Sequence, residues 1–303
     1  MRSPASIASL AVSARHESNT GDERMSPVTV PQVNVLGVRV DVLTMANALS
    51  AIVRILHTGG KGYFCAINVF SVMEAQRDEQ LAAAYADAAI AFPDGMPMAW
   101  VGRLQGHREM ERVAGPDLMR EVFLRKEFAH CTHFFYGGKE GVAEELAARF
   151  KRLVPSVRIA GTYTPPFRAL TLDEESELVA RVNLCKPDMI WVGIGTPKQD
   201  KFMRRYLHLF DTHVMFGVGA AFDFHTGRIH DCPDWIKRAG LQWLHRLIQD
   251  PTRLWWRYLR SNPAFMWRIA LQLTGLRRYS LPRSVSSGSD RVQIGQLSRE
   301  SSS

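Results

Sequence analysis

Short apolar segments rich in β-branched residues alternate along this chain with longer segments of helical period. The short runs predict buried strands, and apolar residues spaced three and four positions apart predict amphipathic helices. The predicted strands are Val33–Val42, Tyr63–Ile67, Ala88–Phe92, Thr132–Tyr136, Arg158–Thr162, Met189–Ile194 and Val214–Val218. The predicted helices are Thr44–Leu56, Ser71–Ala86, Asp117–Phe128, Gly141–Leu153, Asp173–Cys185 and Lys198–Leu209. This alternation predicts an α/β fold, a Rossmann-like and mostly parallel sheet with helices on both faces.

Thr44 and Asp173 are predicted N-caps, because short polar side chains accept hydrogen bonds from the first free N–H groups of a helix. The functional site is expected elsewhere, since ligands of such sheets bind beyond the carboxyl ends of the strands. The segments that directly follow the strands are therefore the candidates for chemistry.

The ends of the chain differ in composition from its middle. Residues 1–31 are rich in Ser, Ala, Thr and Pro and are expected to form a disordered leader, in which Met25 offers an alternative start. Residues 280–303 are rich in Ser, Gly and charged residues and are expected to form a disordered tail. Residues 33–232 are predicted to form the α/β core, and residues 233–279 a basic, Trp-rich helical appendage.

Composition excludes several classes of protein. Hydrophobic residues make up 46% of the 303 residues, which excludes disorder of the whole chain. No apolar run approaches the roughly 18–20 residues of a spanning helix. The four cysteines lack the spacing of a zinc site or a disulfide framework, so reduced thiols in a cytoplasmic protein are expected. The net charge of +8 suits nucleic acid, an anionic membrane surface or a polyphosphate substrate.

Residues 233–279 concentrate nine Lys and Arg and five of the seven tryptophans, against only Asp234 and Asp250. Pro251 and Pro263 are expected to divide this segment into three short amphipathic helices. Tryptophan with arginine suits a membrane interface, because indole lies at the headgroup level and guanidinium binds lipid phosphate. A helical cap that packs on the core, with solvated arginines, is an equal alternative. RNA binding is a weaker one, since no RNP-like or helix-turn-helix pattern accompanies the charge.

Asp94 follows the predicted strand Ala88–Phe92 and stands between Pro93 and Gly95. This placement holds a carboxylate at the mouth of the sheet, where apolar neighbours would raise its pKa toward that of a general base. The sequence Pro-Asp-Gly is also an ordinary turn, and the tripeptide alone favours that structural role over a functional one.

Two glycine-containing junctions, Gly137–Lys139 and Gly195–Lys198, lead from a strand into a helix. Backbone N–H groups and the positive helix end suit a diphosphate at such a junction. Lys198 can meet negative charge, and Gln199 can hydrogen-bond sugar or phosphate. A simple turn in which Pro197 starts the helix is the alternative.

The segment Gly217–Gly227 begins like a dinucleotide fingerprint but has Phe222 where the final Gly or Ala belongs. The segment that begins at Gly193 has Lys198 at that position and fails in the same way. A nicotinamide-dependent oxidoreductase is therefore a disfavoured alternative. His225 stands beside this segment, but a lone histidine is more often structural than catalytic.

Six short segments of distinctive sequence follow one another in a fixed order. They are Phe92–Gly95, Gly115–Met119, Gly137–Ala143, Gly195–Lys201, Gly217–Phe224 and Trp243–Tyr258. Together they resemble the WecG/TagA/CpsF glycosyltransferase family, over about residues 33–276. The resemblance implies an inverting, metal-independent enzyme that moves a sugar from a UDP-sugar to a polyprenyl-diphosphate-linked saccharide in cell-surface polysaccharide (exopolysaccharide) synthesis. The sequence contains no Asp-x-Asp motif, in agreement with metal independence.

The resemblance implies Asp94 as the catalytic base, with Asn68 and Gln199 as further catalytic residues. Asn68 belongs to the family's Thr-x-Asn motif, in which this chain has Ala66 instead of threonine. The predicted nucleotide-binding residues are Gly137, Gly138, Lys139, Gly195, Lys198, Gly219 and Asp223. The predicted acceptor and membrane contacts are Arg253, Arg257, Arg260, Trp255 and Trp256. No metal and no cofactor are expected.

The expected partners are the UDP-sugar, the lipid-linked acceptor and an anionic membrane surface, without nucleic acid. The sequence leaves the oligomeric state open, a homo-oligomer included. The expected location is the cytoplasm, with peripheral binding to the inner face of the cell membrane. A non-catalytic membrane-docking scaffold is the remaining alternative, and it predicts that Asp94→Asn leaves function intact.

Overall fold

A computed structural model describes residues 30–282, apart from the side chain of Arg253. The predicted disordered leader and tail lie almost wholly outside the described residues. The strands are β1 Gln32–Val35, β2 Val38–Asp41, β3 Gly62–Ile67, β4 Ile90–Pro93, β5 Thr132–Gly137, β6 Arg158–Tyr163, β7 Met189–Gly193 and β8 Val214–Gly217. The helices are α1 Met45–Thr58, α2 Val69–Ala75, α3 Glu79–Asp87, α4 Met96–Leu104, α5 Gly115–Leu124, α6 Val142–Leu153, α7 Leu172–Cys185, α8 Lys198–Tyr206, α9 Ala221–His225, α10 Asp234–Arg238, α11 Gln242–Gln249 and α12 Pro251–Leu273, with a 3₁₀ turn at Lys126–Phe128.

A six-stranded sheet of order β4-β3-β8-β7-β5-β6 forms the centre of the fold, and all its neighbouring strands are parallel. Successive side chains of a strand point to opposite faces. Along β3, Tyr63 and Cys65 belong to one cluster of buried apolar side chains, and Phe64 and Ala66 to the other. Both faces are thus buried under helices, which explains the continuous apolar runs of the sequence and confirms the predicted α/β class.

Strands β5 and β7 lie side by side, and the connections that leave them run toward opposite edges of the sheet. From β5 the chain passes through α6 to the edge strand β6, whereas from β7 it passes through α8 toward the middle of the sheet. The buried residues of α6 and α8 belong to clusters on opposite faces. Such a divergence opens a crevice at the carboxyl ends of the two strands, where α/β proteins bind ligands.

Two predicted elements are each divided in the structure. The predicted strand Val33–Val42 is wrong, because the chain folds back at Leu36 and Gly37, which have φ angles of 53° and 84°. The result is the antiparallel hairpin β1–β2, separate from the large sheet. The predicted helix Ser71–Ala86 is wrong as one element, because the side chain of Asp78 accepts a backbone hydrogen bond and starts α3 anew.

The predicted N-caps have different outcomes. Thr44 caps α1, and its side chain accepts a hydrogen bond from the N–H of Asn47, as predicted. Asp173 is not a cap, because Thr171 begins α7 two residues earlier. Thr171 and Glu174 each accept a hydrogen bond from the other's backbone N–H, and this reciprocal pair outweighs a single Asp side chain.

Helix α12 packs one of its faces on the core. The predicted break at Pro263 is wrong, since the helix continues through this residue. Phe265 and Ile269 are buried in the apolar cluster that also contains residues of α2 and α8. Near the end of the helix, the side chain of Gln272 accepts a hydrogen bond from the N–H of Leu36 and donates one to a carbonyl of the hairpin. Core packing and these hydrogen bonds fix α12 despite the N–H that proline lacks.

The opposite face of α12 is apolar and faces solvent. Trp255, Trp256 and Trp267 have 52%, 59% and 68% of their surface exposed. One face thus agrees with the core-cap interpretation, while the other carries the exposed tryptophans that an interfacial helix requires. None of the helices within residues 30–282 has the length and apolar character to cross a membrane.

The packing of α12 predicts unequal effects of two aromatic substitutions. Phe265→Ala removes a buried ring, so the free energy of unfolding should fall by about 3–5 kcal/mol. The matched variant Trp267→Ala removes an exposed ring and should change that free energy by about 0.5 kcal/mol or less. Urea unfolding followed by circular dichroism measures both values. Equal losses would contradict the described packing of α12.

Candidate active site

A cavity of about 1720 Å³ opens at the carboxyl ends of β3, β4, β5, β7 and β8. Helices α10, α11 and α12 contribute to its wall. The predicted site residues that line this cavity are Asn68, Asp94, Gly138, Lys139, Gly195, Lys198, Gln199, Gly219, Asp223 and Arg257. Gly137, Trp255, Trp256 and Arg260 lie outside the lining. The side chain of Arg253 is outside the described part of the chain.

Asp94 and Asn68 meet at the carboxyl ends of the neighbouring strands β4 and β3. The N–H of Asp94 donates to the carbonyl of Ile67 at 2.8 Å, which extends the pairing of the two strands by one residue. Asn68 is the N-cap of α2, and its Oδ1 accepts a hydrogen bond from the N–H of Ser71. This cap orients the amide, so that Nδ2 donates to Oδ2 of Asp94 at 3.3 Å. Gly95 has a φ of 122°, which only glycine adopts readily, and α4 begins directly after it.

Burial raises the pKa of Asp94, while the positive charge of Arg112 and the hydrogen bond from Asn68 oppose the rise. Arg112 binds Oδ2 of Asp117 at 2.6 Å through Nη2 and donates to Oε1 of Gln242 at 3.3 Å. A half-buried carboxylate of raised pKa beside a cavity is a candidate general base. Sequence reasoning missed Arg112, because no local pattern connects it with Asp94.

The junctions after β5 and β7 approach each other without intervening side chains. Gly138 donates its N–H to the carbonyl of Gly193 at 3.1 Å. A Cβ atom on Gly137 would lie 2.7 Å from the backbone of Gly193, so only glycine permits this contact. Gly137 therefore lies beneath the cavity and sets the spacing of the strands, whereas Gly138 and Lys139 reach the cavity itself.

Gln199 joins the loops that follow β7 and β8. Its side chain is buried, and its Oε1 accepts hydrogen bonds from the N–H groups of Gly195 at 3.2 Å and Gly219 at 3.0 Å. Gly217 leaves room for this amide, since a Cβ there would lie 3.0 Å from Nε2 of Gln199. The side chain thus fixes two walls of the cavity relative to each other.

Cations from both parts of the chain surround the cavity. Lys139 and Lys198 stand exposed at its edge, after β5 and β7. From the C-terminal helices, Arg246 lies 5.6 Å from the ring centroid of Phe224, and Arg257 lies 3.5 Å from that of Phe70. Stacking on aromatic rings holds both guanidinium groups beside the cavity, where their charge favours an anionic ligand.

Ala66 lines the cavity at the position where the Thr-x-Asn motif has threonine. The hydroxyl of that motif is thus absent from the wall of the cavity beside Asn68. Residues 30–282 contain no cluster of three His, Cys, Asp or Glu side chains that could hold a metal ion.

Known proteins of similar sequence are glycosyltransferases. The profile of the Glycosyl transferase WecG/TagA/CpsF family matches residues 33–279. A protein of Bacillus spizizenii, named N-acetylglucosaminyldiphosphoundecaprenol N-acetyl-beta-D-mannosaminyltransferase, is 31% identical over 193 residues, which are 64% of this chain and 72% of that protein. A protein of the same name in Bacillus subtilis is 33% identical over 174 residues, 57% of this chain and 65% of that protein.

These matches favour neither an oxidoreductase nor a non-catalytic scaffold, and they confirm the resemblance carried by the six ordered segments. The chain belongs to the WecG/TagA/CpsF family and is a glycosyltransferase.

Proposed function

We propose that the protein transfers a sugar from a UDP-sugar to a polyprenyl-diphosphate-linked saccharide, with inversion and without a metal ion. One observation carries this proposal: a carboxylate of raised pKa, two glycine junctions and several cations line the same cavity. The names of the two Bacillus relatives support an acceptor whose diphosphate carries N-acetylglucosamine. Incubation of single UDP-sugars with this acceptor, with UDP release as the readout, tests the proposal.

The crevice between β5 and β7 is the proposed binding site of the donor diphosphate. Helices α6 and α8 begin beside it, and the positive ends of helices stabilise anions. Lys139 and Lys198 add two positive charges at its edge. Backbone dipoles and lysines would then stabilise the departing UDP, a task that a divalent ion performs in metal-dependent transferases.

Asp94 is the proposed general base. Its carboxylate takes the proton of the acceptor hydroxyl while the acceptor oxygen forms a bond to the anomeric carbon. The bond from that carbon to the UDP oxygen breaks on the opposite side, and UDP leaves with the bonding electrons. One displacement of this kind inverts the configuration of the sugar. Asn68 holds the carboxylate in place through its amide.

The C-terminal helices are the proposed acceptor side. Arg246 and Arg257 line the cavity and would contact the lipid diphosphate, while Trp255 and Trp256 on the outer surface would lie at the membrane interface. This arrangement supports peripheral binding at the inner face of the membrane, with the sugar of the acceptor directed toward Asp94.

The assignment of the base predicts a large and selective effect of Asp94→Asn. Turnover should fall by about 10²–10⁴-fold, because the amide cannot accept the proton, while UDP affinity changes little. UDP release in excess EDTA and calorimetric UDP binding give the two values. The exposed variant Asp173→Asn is the matched control and should match the wild type. Full activity of Asp94→Asn would contradict the assignment of Asp94 as the base.

The charge of Arg112 predicts a shift in the pH profile. Arg112 lowers the pKa of Asp94, so Arg112→Gln should raise that pKa further. The base must be deprotonated to act, and the acidic limb of kcat/KM should therefore move to higher pH. The exposed variant Arg108→Gln should leave the limb in place. If the acidic limb of Arg112→Gln stays in place or moves to lower pH, Asp94 does not control that limb.

The exposed tryptophans predict binding to lipid. The full-length protein should sediment with anionic vesicles, and less of it as NaCl rises, because salt screens a contribution of about 1 kcal/mol per basic residue. Replacement of Trp255 and Trp256 by alanine should weaken sedimentation. The matched double variant Leu172→Ala/Leu184→Ala removes exposed apolar residues from α7 and should not. If the protein does not sediment with vesicles of any charge, the interfacial role is refuted.

A further inference from the structure

A second carboxylate lies behind the wall of the cavity. Asp200, in the first turn of α8, is completely buried and does not line the cavity. Its Oδ2 accepts a hydrogen bond from Oγ1 of Thr196 at 2.9 Å. Thr196 itself lines the cavity, in the turn that joins β7 to α8. The buried carboxyl group is thus connected to the cavity through one hydroxyl.

The surroundings of Asp200 are unfavourable for a charge. Burial raises the pKa of its carboxyl group to about 6, although Thr196, Cys65 and Tyr85 act in the opposite direction. Within the described part of the chain, neither Oδ1 of Asp200 nor the hydroxyl of Tyr85 has a partner at direct hydrogen-bond distance. Buried polar atoms left in this way lower stability. The burial of Asp200 therefore does not serve the stability of the fold.

Two consecutive residues of α8 hold the turn from different sides. Gln199 accepts a hydrogen bond from the N–H of Gly195, and Asp200 accepts one from the hydroxyl of Thr196. Successive side chains of a helix point about 100° apart, so Gln199 reaches the turn from the cavity wall and Asp200 from the core. The turn lies at the β5–β7 crevice, beside the proposed donor diphosphate.

We propose that Asp200 is a positioning residue for the donor, because its carboxyl group fixes the Thr196 hydroxyl and with it the wall of the donor-binding crevice between β5 and β7. This inference rests on the proposed function, since it requires a nucleotide-sugar in the β5–β7 crevice. Asp200 itself touches neither donor nor acceptor and acts through Thr196.

Three variants separate positioning from stability. In Asp200→Ala the hydroxyl of Thr196 loses its acceptor, so the KM for the UDP-sugar and the Kd for UDP should each rise about tenfold, with kcat within about threefold. Asp200→Asn keeps an acceptor oxygen and should restore both values to within about threefold of the wild type. Thr196→Val should reproduce Asp200→Ala, and the double variant should be no worse than either single one.

The control is Thr212→Val, which removes another buried threonine hydroxyl, at a site outside the cavity. It should leave UDP affinity unchanged. Thermal melting of each variant reports any loss of stability separately. Equal damage by Asp200→Ala and Asp200→Asn, additive single effects, or a fall in kcat and melting temperature at unchanged UDP affinity would overturn the inference. Failure of the wild type to bind UDP would overturn the proposed function as well.

Discussion

The parallel alignment of the central strands determines where the candidate active site of this protein lies. Because both faces of the sheet are buried, the strands can meet solvent only at their ends, and their carboxyl ends share one edge. At that edge the backbones of Gly137 and Gly193 touch, a contact that no larger residue permits. The crevice, the cap of Asn68 and the position of Asp94 all follow from this arrangement.

Two carboxylates of raised pKa lie close to the cavity in different surroundings. Asp94 faces the cavity, accepts a hydrogen bond from Asn68 and lies within the field of Arg112. Asp200 is buried in the core and accepts a hydrogen bond from the hydroxyl of Thr196. Access to a substrate separates the two proposed roles, since a proton can pass from an acceptor only to the carboxylate that the acceptor can reach.

The C-terminal helices belong to the core and to the surface at once. Phe265 and Ile269 fill the apolar cluster under the sheet, while Trp255 and Trp256 face solvent on the same helix. Arg257 completes the cavity wall between these two regions. The outer face and the cavity wall are therefore parts of one helix, whose inner face packs in the apolar cluster shared with α2 and α8.

The sequence by itself determined the parallel α/β fold, the cap at Thr44 and the place of Asp94 at a strand end, because these features depend on residues close along the chain. Only the tertiary structure decided that Arg112 approaches Asp94 and that α12 continues through Pro263. It also decided that the carboxylate of Asp200 meets the core instead of the cavity. Charge proximity, burial and packing depend on segments far apart in sequence, and no local pattern contains that information.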